Sequence, residues 1–168
     1  LSLGNTLFFP ARNPAIGKEL WKSNGTAAGT TLFQDCFNGD SYPSGFTKSG
    51  NILFFAAGTD SLGSELWKTN GTEAGTVLVK DIYPGVFNAS YPRNFVAFQH
   101  ELYFSADDGI HGRELWKSDG TEAGTSMIKD VNPGASGSSI YNMVTAGSRV
   151  YFTANSSDSG YELWYTDG

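Results

Sequence analysis

Short apolar runs alternate along the chain with clusters of glycine, serine, asparagine and proline, and no apolar pattern holds a 3.6-residue spacing for ten residues. Helices are therefore not expected. In the stretch 46–82 the pattern predicts four short strands: a weak segment at 46–48, the dense run NILFFAA at 51–57, ELWKT at 65–69 and VLVKDI at 77–82. Their β-branched and aromatic residues suit a pleated, half-buried surface. Asn24 with Gly25, Asn70 with Gly71 and Asp119 with Gly120 fall between the third and fourth strands, where residues tolerant of positive φ are needed. Pro84-Gly85 and Pro133-Gly134 end the fourth strand and begin a long link.

The pattern is periodic. ELWKSNGTAAGT begins at Glu19, ELWKTNGTEAGT at Glu65, ELWKSDGTEAGT at Glu114 and ELWYTDG at Glu162, at intervals of 46, 49 and 48 residues. A second feature keeps the same phase: LSLGNTLFF from Leu1, TKSGNILFF from Thr47, VAFQHELYF from Val96 and VTAGSRVYF from Val144. The chain thus reads as one repeat domain, 1–168, with units at 1–46, 47–95, 96–143 and an incomplete 144–168. Four antiparallel strands in about 48 residues match a β-propeller blade, so the expected fold is all-β, a propeller or propeller fragment of four-stranded blades. A β-solenoid is the second reading, and its units are usually shorter. One blade cannot bury both faces of its sheet. The LFF, LYF and VYF strands are expected to fill the core between blades, with Trp21, Trp67, Trp116 and Trp164 as a second layer.

The segment ELWKSDGTEAGT and its counterparts resemble the ELWxxDGT-repeat family, β-propeller-like proteins of the bacterial cell surface and exterior. The resemblance covers the whole chain. Asn24 and Asn70 stand where the family pattern has Asp, and the unit at 144–168 stops before its GTxAGT. It implies a propeller-like fold and an extracellular or cell-surface location.

Composition narrows the function classes. With 168 residues, 39% hydrophobic and 14% aromatic, the chain supports one domain with a real core and is not a disordered segment. A net charge of −6 without clustered Lys and Arg argues against a nucleic-acid partner. The longest apolar stretch, Ile52 to Ala57, falls far short of a membrane helix, so no membrane insertion is expected. The single Cys36 excludes an intrachain disulfide and a thiolate metal cluster.

Candidate chemistry is sparse. Glu19, Glu65, Glu114 and Glu162 could ring an axis and bind a cation, or could each accept hydrogen bonds that hold a blade corner; strict repetition favours the structural role. The loops between second and third strands carry Asp60, the pair Asp107 and Asp108, and Asp158. Of these, Asp107 and Asp108 come nearest to a calcium ligand set, and calcium is the one cofactor anticipated. His100 and His111 lack a third ligand at zinc spacing, and His111 reads as a solvated loop residue. Arg12, Arg93, Arg113 and Arg149 fall at unrelated phases, which argues against an arginine clamp. Asn24, Asn70, Asn88 and Asn155 open Asn-x-Ser/Thr sequons and are candidate glycosylation sites. Neither GxSxG nor a nucleotide-binding glycine loop is present.

An incomplete fourth unit leaves three arrangements open: an excerpt of a longer chain, a four-bladed ring with one defective blade, or blade edges that pair with another copy. The leading expectation is a non-enzymatic extracellular structural or adhesive protein, a building block of a larger ring, surface layer or filament. Its partners would be other copies of itself or further blades of a longer chain. The alternative is a carbohydrate-binding, lectin-like propeller in which Tyr42, Tyr91 and Tyr141 stack on glycans. A glycoside hydrolase-type propeller is the third reading, and no non-repeated polar constellation supports it.

Overall fold

The computed structural model describes residues 1–35, 39–59 and 61–168. Cys36 and Asp60 lie outside the described residues. Among the described residues there is no helix; the chain forms fifteen strands in four antiparallel sheets. The first sheet runs β1 (Ser2–Leu3), β2 (Thr6–Asn13), β3 (Gly17–Ser23) and β4 (Thr31–Gln34). The second runs β5 (Ser44–Ser49), β6 (Ile52–Ala57), β7 (Glu65–Thr69) and β8 (Val77–Lys80). The third runs β9 (Arg93–Phe98), β10 (Glu101–Asp107), β11 (Arg113–Ser118) and β12 (Ser126–Lys129). The fourth has three strands, β13 (Tyr141–Ala146), β14 (Arg149–Ser156) and β15 (Gly160–Thr166). Each sheet is a meander in which sequence neighbours are hydrogen-bonded neighbours.

One register recurs throughout. Phe9 faces Trp21, Phe55 faces Trp67, Phe104 faces Trp116 and Phe152 faces Trp164 across the middle strand pair. The ring pair of the second sheet is stacked, its centroids 6.5 Å apart. A bulge interrupts the first strand of three sheets at the same place, and there Gly45, Asn94 and Asn142 take φ of 69°, 59° and 53°. Glycine and asparagine are the residues that enter this region at least cost, and the bulge twists the strand as it shifts the register. It also places the first strand three residues ahead of each unit boundary read from the LFF motif, at Ser44, Arg93 and Tyr141.

The second, third and fourth sheets approach one another most closely through β5, β9 and β13. Between the four sheets lie three apolar layers. Phe8, Leu20 and Phe33 of the first sheet meet Leu53, Phe55 and Ala57 of the second. Phe54, Leu66 and Val79 of the second meet Leu102, Phe104 and Trp116 of the third. Leu115 of the third meets Phe152 and Ala154 of the fourth. The two outer faces are uncovered. Leu7 is 45% exposed although its counterparts Leu53, Leu102 and Val150 are each at 0%. Leu163 is 71% exposed although Leu20 and Leu66 are at 0% and Leu115 at 1%. Hence the first and fourth sheets do not bury each other.

Candidate functional site

The repeated glutamates are buried staples. Glu65 accepts the Ser90 amide at Oε1 (2.7 Å), and the Ile82 amide (3.0 Å) and Ser90 hydroxyl (2.6 Å) at Oε2. Glu114 accepts the Val131 amide (3.0 Å) and the Ser138 hydroxyl (2.7 Å) at Oε2. Glu19 accepts the Ser41 amide (3.0 Å) and hydroxyl (2.6 Å). Each carboxylate thereby ties the start of a third strand to the link that enters the next sheet. Burial raises the pKa of Glu65 and Glu114, the hydrogen bonds oppose it, and Asp81 and Asp130 add repulsion. Glu162 is exposed, on the face of β15 that also carries Trp164.

Directly after each stapled serine the backbone turns left-handed: φ is 48° at Tyr42, 45° at Tyr91 and 47° at Ser139. For a bulky aromatic this region is an outlier, held here by the neighbouring staple and by buried Pro43 and Pro92. The turn throws both rings outward, leaving Tyr42 59% and Tyr91 61% exposed. A cleft of about 390 Å³ lies between them, floored by Gly58, Gly63 and Ser64. The Tyr42 hydroxyl donates to Asp40 Oδ2 at 2.9 Å, and the Lys18 amide donates to Asp40 Oδ1 at 2.6 Å. These bonds hold the Asp40 carboxyl below its ordinary range and push the Tyr42 phenol up. Tyr141 is not at the equivalent position: it opens β13, where Ser44 and Arg93 stand in the earlier sheets.

A second cleft of about 430 Å³ shares Ser44, Ser64 and Tyr91 with the first and adds Pro92, Arg93 and Arg113. Sequence phase separates these arginines; the fold brings them together. Arg113 Nη1 donates to the carbonyls of Tyr91 (2.8 Å) and Ser105 (3.1 Å), and Nη2 to that of Ser90 (3.3 Å). Burial, with the Arg93 charge beside it, brings the Arg113 pKa down to about 10. Among the described residues no carboxylate lies within ion-pair distance of Arg93 or Arg113. The tripeptide Ser-Tyr-Pro, at 41–43 and again at 90–92, was the available sequence signal for this rim.

The other candidates lie apart. Asp107 Oδ1 accepts the Gly109 amide (2.8 Å), and Asp108 Oδ1 accepts the amides of Ile110 (2.9 Å) and His111 (2.8 Å). His111 Nδ1 sits 2.7 Å from Asp108 Oδ2, so this loop histidine is paired. Among the described residues no three His, Cys, Asp or Glu side chains gather as a metal site. Asn24 and Asn70 are exposed, each accepting at Oδ1 from the amide and hydroxyl of the Thr two residues on. Asn88 is half-buried and its Nδ2 donates to the Pro84 carbonyl at 2.9 Å; Asn155 lies within β14 opposite Tyr161. The indole Nε1 atoms of Trp21, Trp67, Trp116 and Trp164 are buried without an acceptor among the described residues. Among the described residues no helix is long and apolar enough to cross a membrane.

No family model and no curated protein matches the chain. Among solved structures, puromycin hydrolase is similar with a TM-score of 0.63 as a mutant complexed with PGG. A second structure of puromycin hydrolase gives 0.60. Each likeness is at 15% identity and covers 98% of this chain and 25% of the other, so the chain spans about a quarter of that protein's length. The computationally designed Ika8 protein gives a TM-score of 0.47 at 15% identity, over 98% of this chain and 46% of that one. The likeness is one of fold. It corrects one expectation: this stack of antiparallel sheets recurs in a hydrolase, so a repeated scaffold gives no ground for excluding enzymatic activity.

Proposed function

We propose that the chain is a four-sheet arc of a β-propeller and acts as an extracellular building block, whose end faces take up further sheets of the same repeat. The observation that carries this reading is the contrast between Leu163, 71% exposed, and its counterpart Leu66, at 0%. In the three internal layers a leucine at this register is covered by the next sheet, whose second strand supplies Leu53 in the first layer, Leu102 in the second and Phe152 in the third. Leu7, the counterpart of Leu53 and Leu102 in the first sheet, is 45% exposed. The two bare faces are therefore the two halves of one interface type, which favours a head-to-tail contact. Tyr161 and Tyr165 flank Leu163 at 63% and 54% exposure, so the uncovered area is continuous. The resemblance to ELWxxDGT-repeat proteins supports the extracellular location. Other copies of this chain, or further repeats of a longer one, are the partners in this reading.

Sedimentation of the 168-residue chain over a hundredfold concentration range tests it. Association that rises with concentration, and is abolished by Leu163→Lys, is the expected result. A monomer at every concentration would overturn the proposal.

A further inference from the structure

We infer that the cleft between Tyr91, Arg93 and Arg113 is a binding site for a carboxylate-bearing sugar, such as a uronic-acid glycan. It stands apart from the assembly reading, because every residue it uses belongs to the second and third sheets or to the links that enter them, away from the two bare end faces.

Charge is the first part of the argument. Two guanidinium groups line one cleft of a chain whose net charge is −6. The Arg113 fork is half-buried and pinned by three backbone carbonyls, which orient it but supply no countercharge. Arg93 is exposed at the head of β9. Asp107, across the strand pair from Arg113, is outside ion-pair distance and turns its Oδ1 to the Gly109 amide. A desolvated cation with a second cation beside it is costly until an anion neutralises them, and planar guanidinium forks match a carboxylate in two-point geometry.

Shape supplies the second part. The arginine cleft continues through Ser44, Ser64 and Tyr91 into the cleft bordered by Tyr42. Two outward tyrosine rings, set by left-handed backbone, offer flat faces to the C–H side of a pyranose. The serines offer hydroxyls for its oxygens. Aromatic faces, hydroxyls and one concentrated positive end together describe an acidic sugar better than a bare anion or an apolar ligand.

Calorimetric titration of the full chain at low salt with trigalacturonate, neutral galactotriose and inorganic sulfate tests the assignment. Trigalacturonate is expected to bind. Arg93→Gln and Tyr91→Asn should each weaken it tenfold or more, asparagine being chosen because it tolerates the left-handed backbone. Lys48→Gln, at an exposed position outside both clefts, should leave binding unchanged. Circular dichroism confirms that each variant keeps its strands. The inference is overturned by absence of binding, by equal affinity for galactotriose, by wild-type affinity in Arg93→Gln, or by sulfate binding as tightly as trigalacturonate, which would mark a simple anion site.

Discussion

Glu65 and Ser90 lie 25 residues apart in sequence and are joined by two hydrogen bonds, the Ser90 amide to Oε1 at 2.7 Å and its hydroxyl to Oε2 at 2.6 Å. This pair fixes the link between the second and third sheets shortly before it enters β9. Tyr91 follows with φ of 45°, and β9 begins two residues later. The exposed rim is thus a consequence of a buried polar contact: the staple sets the backbone, and the backbone sets the ring.

Removing the charge of that staple should weaken the fold. In Glu65→Gln the carboxamide keeps one acceptor oxygen and turns an NH₂ group toward the donors at Ile82 or Ser90. Leaving buried donors unmatched costs about 2–3 kcal/mol. Denaturant unfolding should report this loss for Glu65→Gln and almost none for Glu162→Gln, whose side chain is exposed. Equal losses at the two positions would contradict the staple.

The same carboxylates predict a pH trend. Burial raises Glu65 and Glu114 above the ordinary value of 4.5, so the folded chain holds these protons to higher pH than the unfolded chain. Their contribution to stability is therefore fully present below pH 4.5 and is lost as pH rises through the raised folded values. Asp40, Asp108 and Asp119 are shifted down and act with the opposite sign at lower pH. Comparing unfolding midpoints of wild type and Glu65→Gln between about pH 4 and pH 8 isolates the glutamate part. The gap between the two proteins should narrow toward higher pH; a constant gap would refute the shift.

Sequence periodicity carried the strands, their antiparallel order and the apolar layers, because each depends on local alternation and on a repeated register such as Phe55 with Trp67. It placed Glu65 correctly in a repeat but could not name Ser90 as its partner, since that contact depends on how a long link folds back. Arg93 and Arg113 show the same limit. Their spacing follows no repeat, and only the sheet, which sets the starts of β9 and β11 on either side of β10, brings both to one cleft. The left-handed φ of Tyr91 was equally hidden, because tyrosine is not a residue that announces it. The question of catalysis was illegible for another reason: a scaffold repeat says nothing of chemistry carried elsewhere on the same fold.

Leu66 and Leu163 share a register and differ in surroundings, which allows a paired measurement. Leu66→Ala removes a side chain at 0% exposure from the layer formed with Leu102 and Phe104, and should cost about 2–5 kcal/mol. Leu163→Ala, at 71% exposure, should change the unfolding free energy of dilute chain by less than about 0.5 kcal/mol. At concentrations where copies associate, the second cost should grow, because the leucine is then covered. A large cost for Leu163→Ala in dilute solution would mean that the fourth sheet is not bare.

Gly75 provides the last prediction. It closes the turn after β7, where Asn70 Oδ1 accepts the Thr72 amide (3.0 Å) and hydroxyl (2.7 Å). The Gly75 amide in turn donates to the Thr72 hydroxyl at 3.0 Å. A Cβ on Gly75 would run into the Asn70 carboxamide, so the residue is glycine for lack of space and not for backbone strain. Gly75→Ala should therefore displace Asn70, break its two bonds to Thr72, and cost about 1–3 kcal/mol. Gly25 is the contrast: with φ of 90° and nothing within 4 Å of an added Cβ, Gly25→Ala carries backbone strain alone, about 1–2 kcal/mol. A double-mutant cycle separates the two causes. In an Asn70→Ala background the clash is gone, and Gly75→Ala should become nearly free, whereas Asn24→Ala should leave the cost of Gly25→Ala in place. Equal behaviour of the two cycles would show that the asparagine does not occupy the space above Gly75.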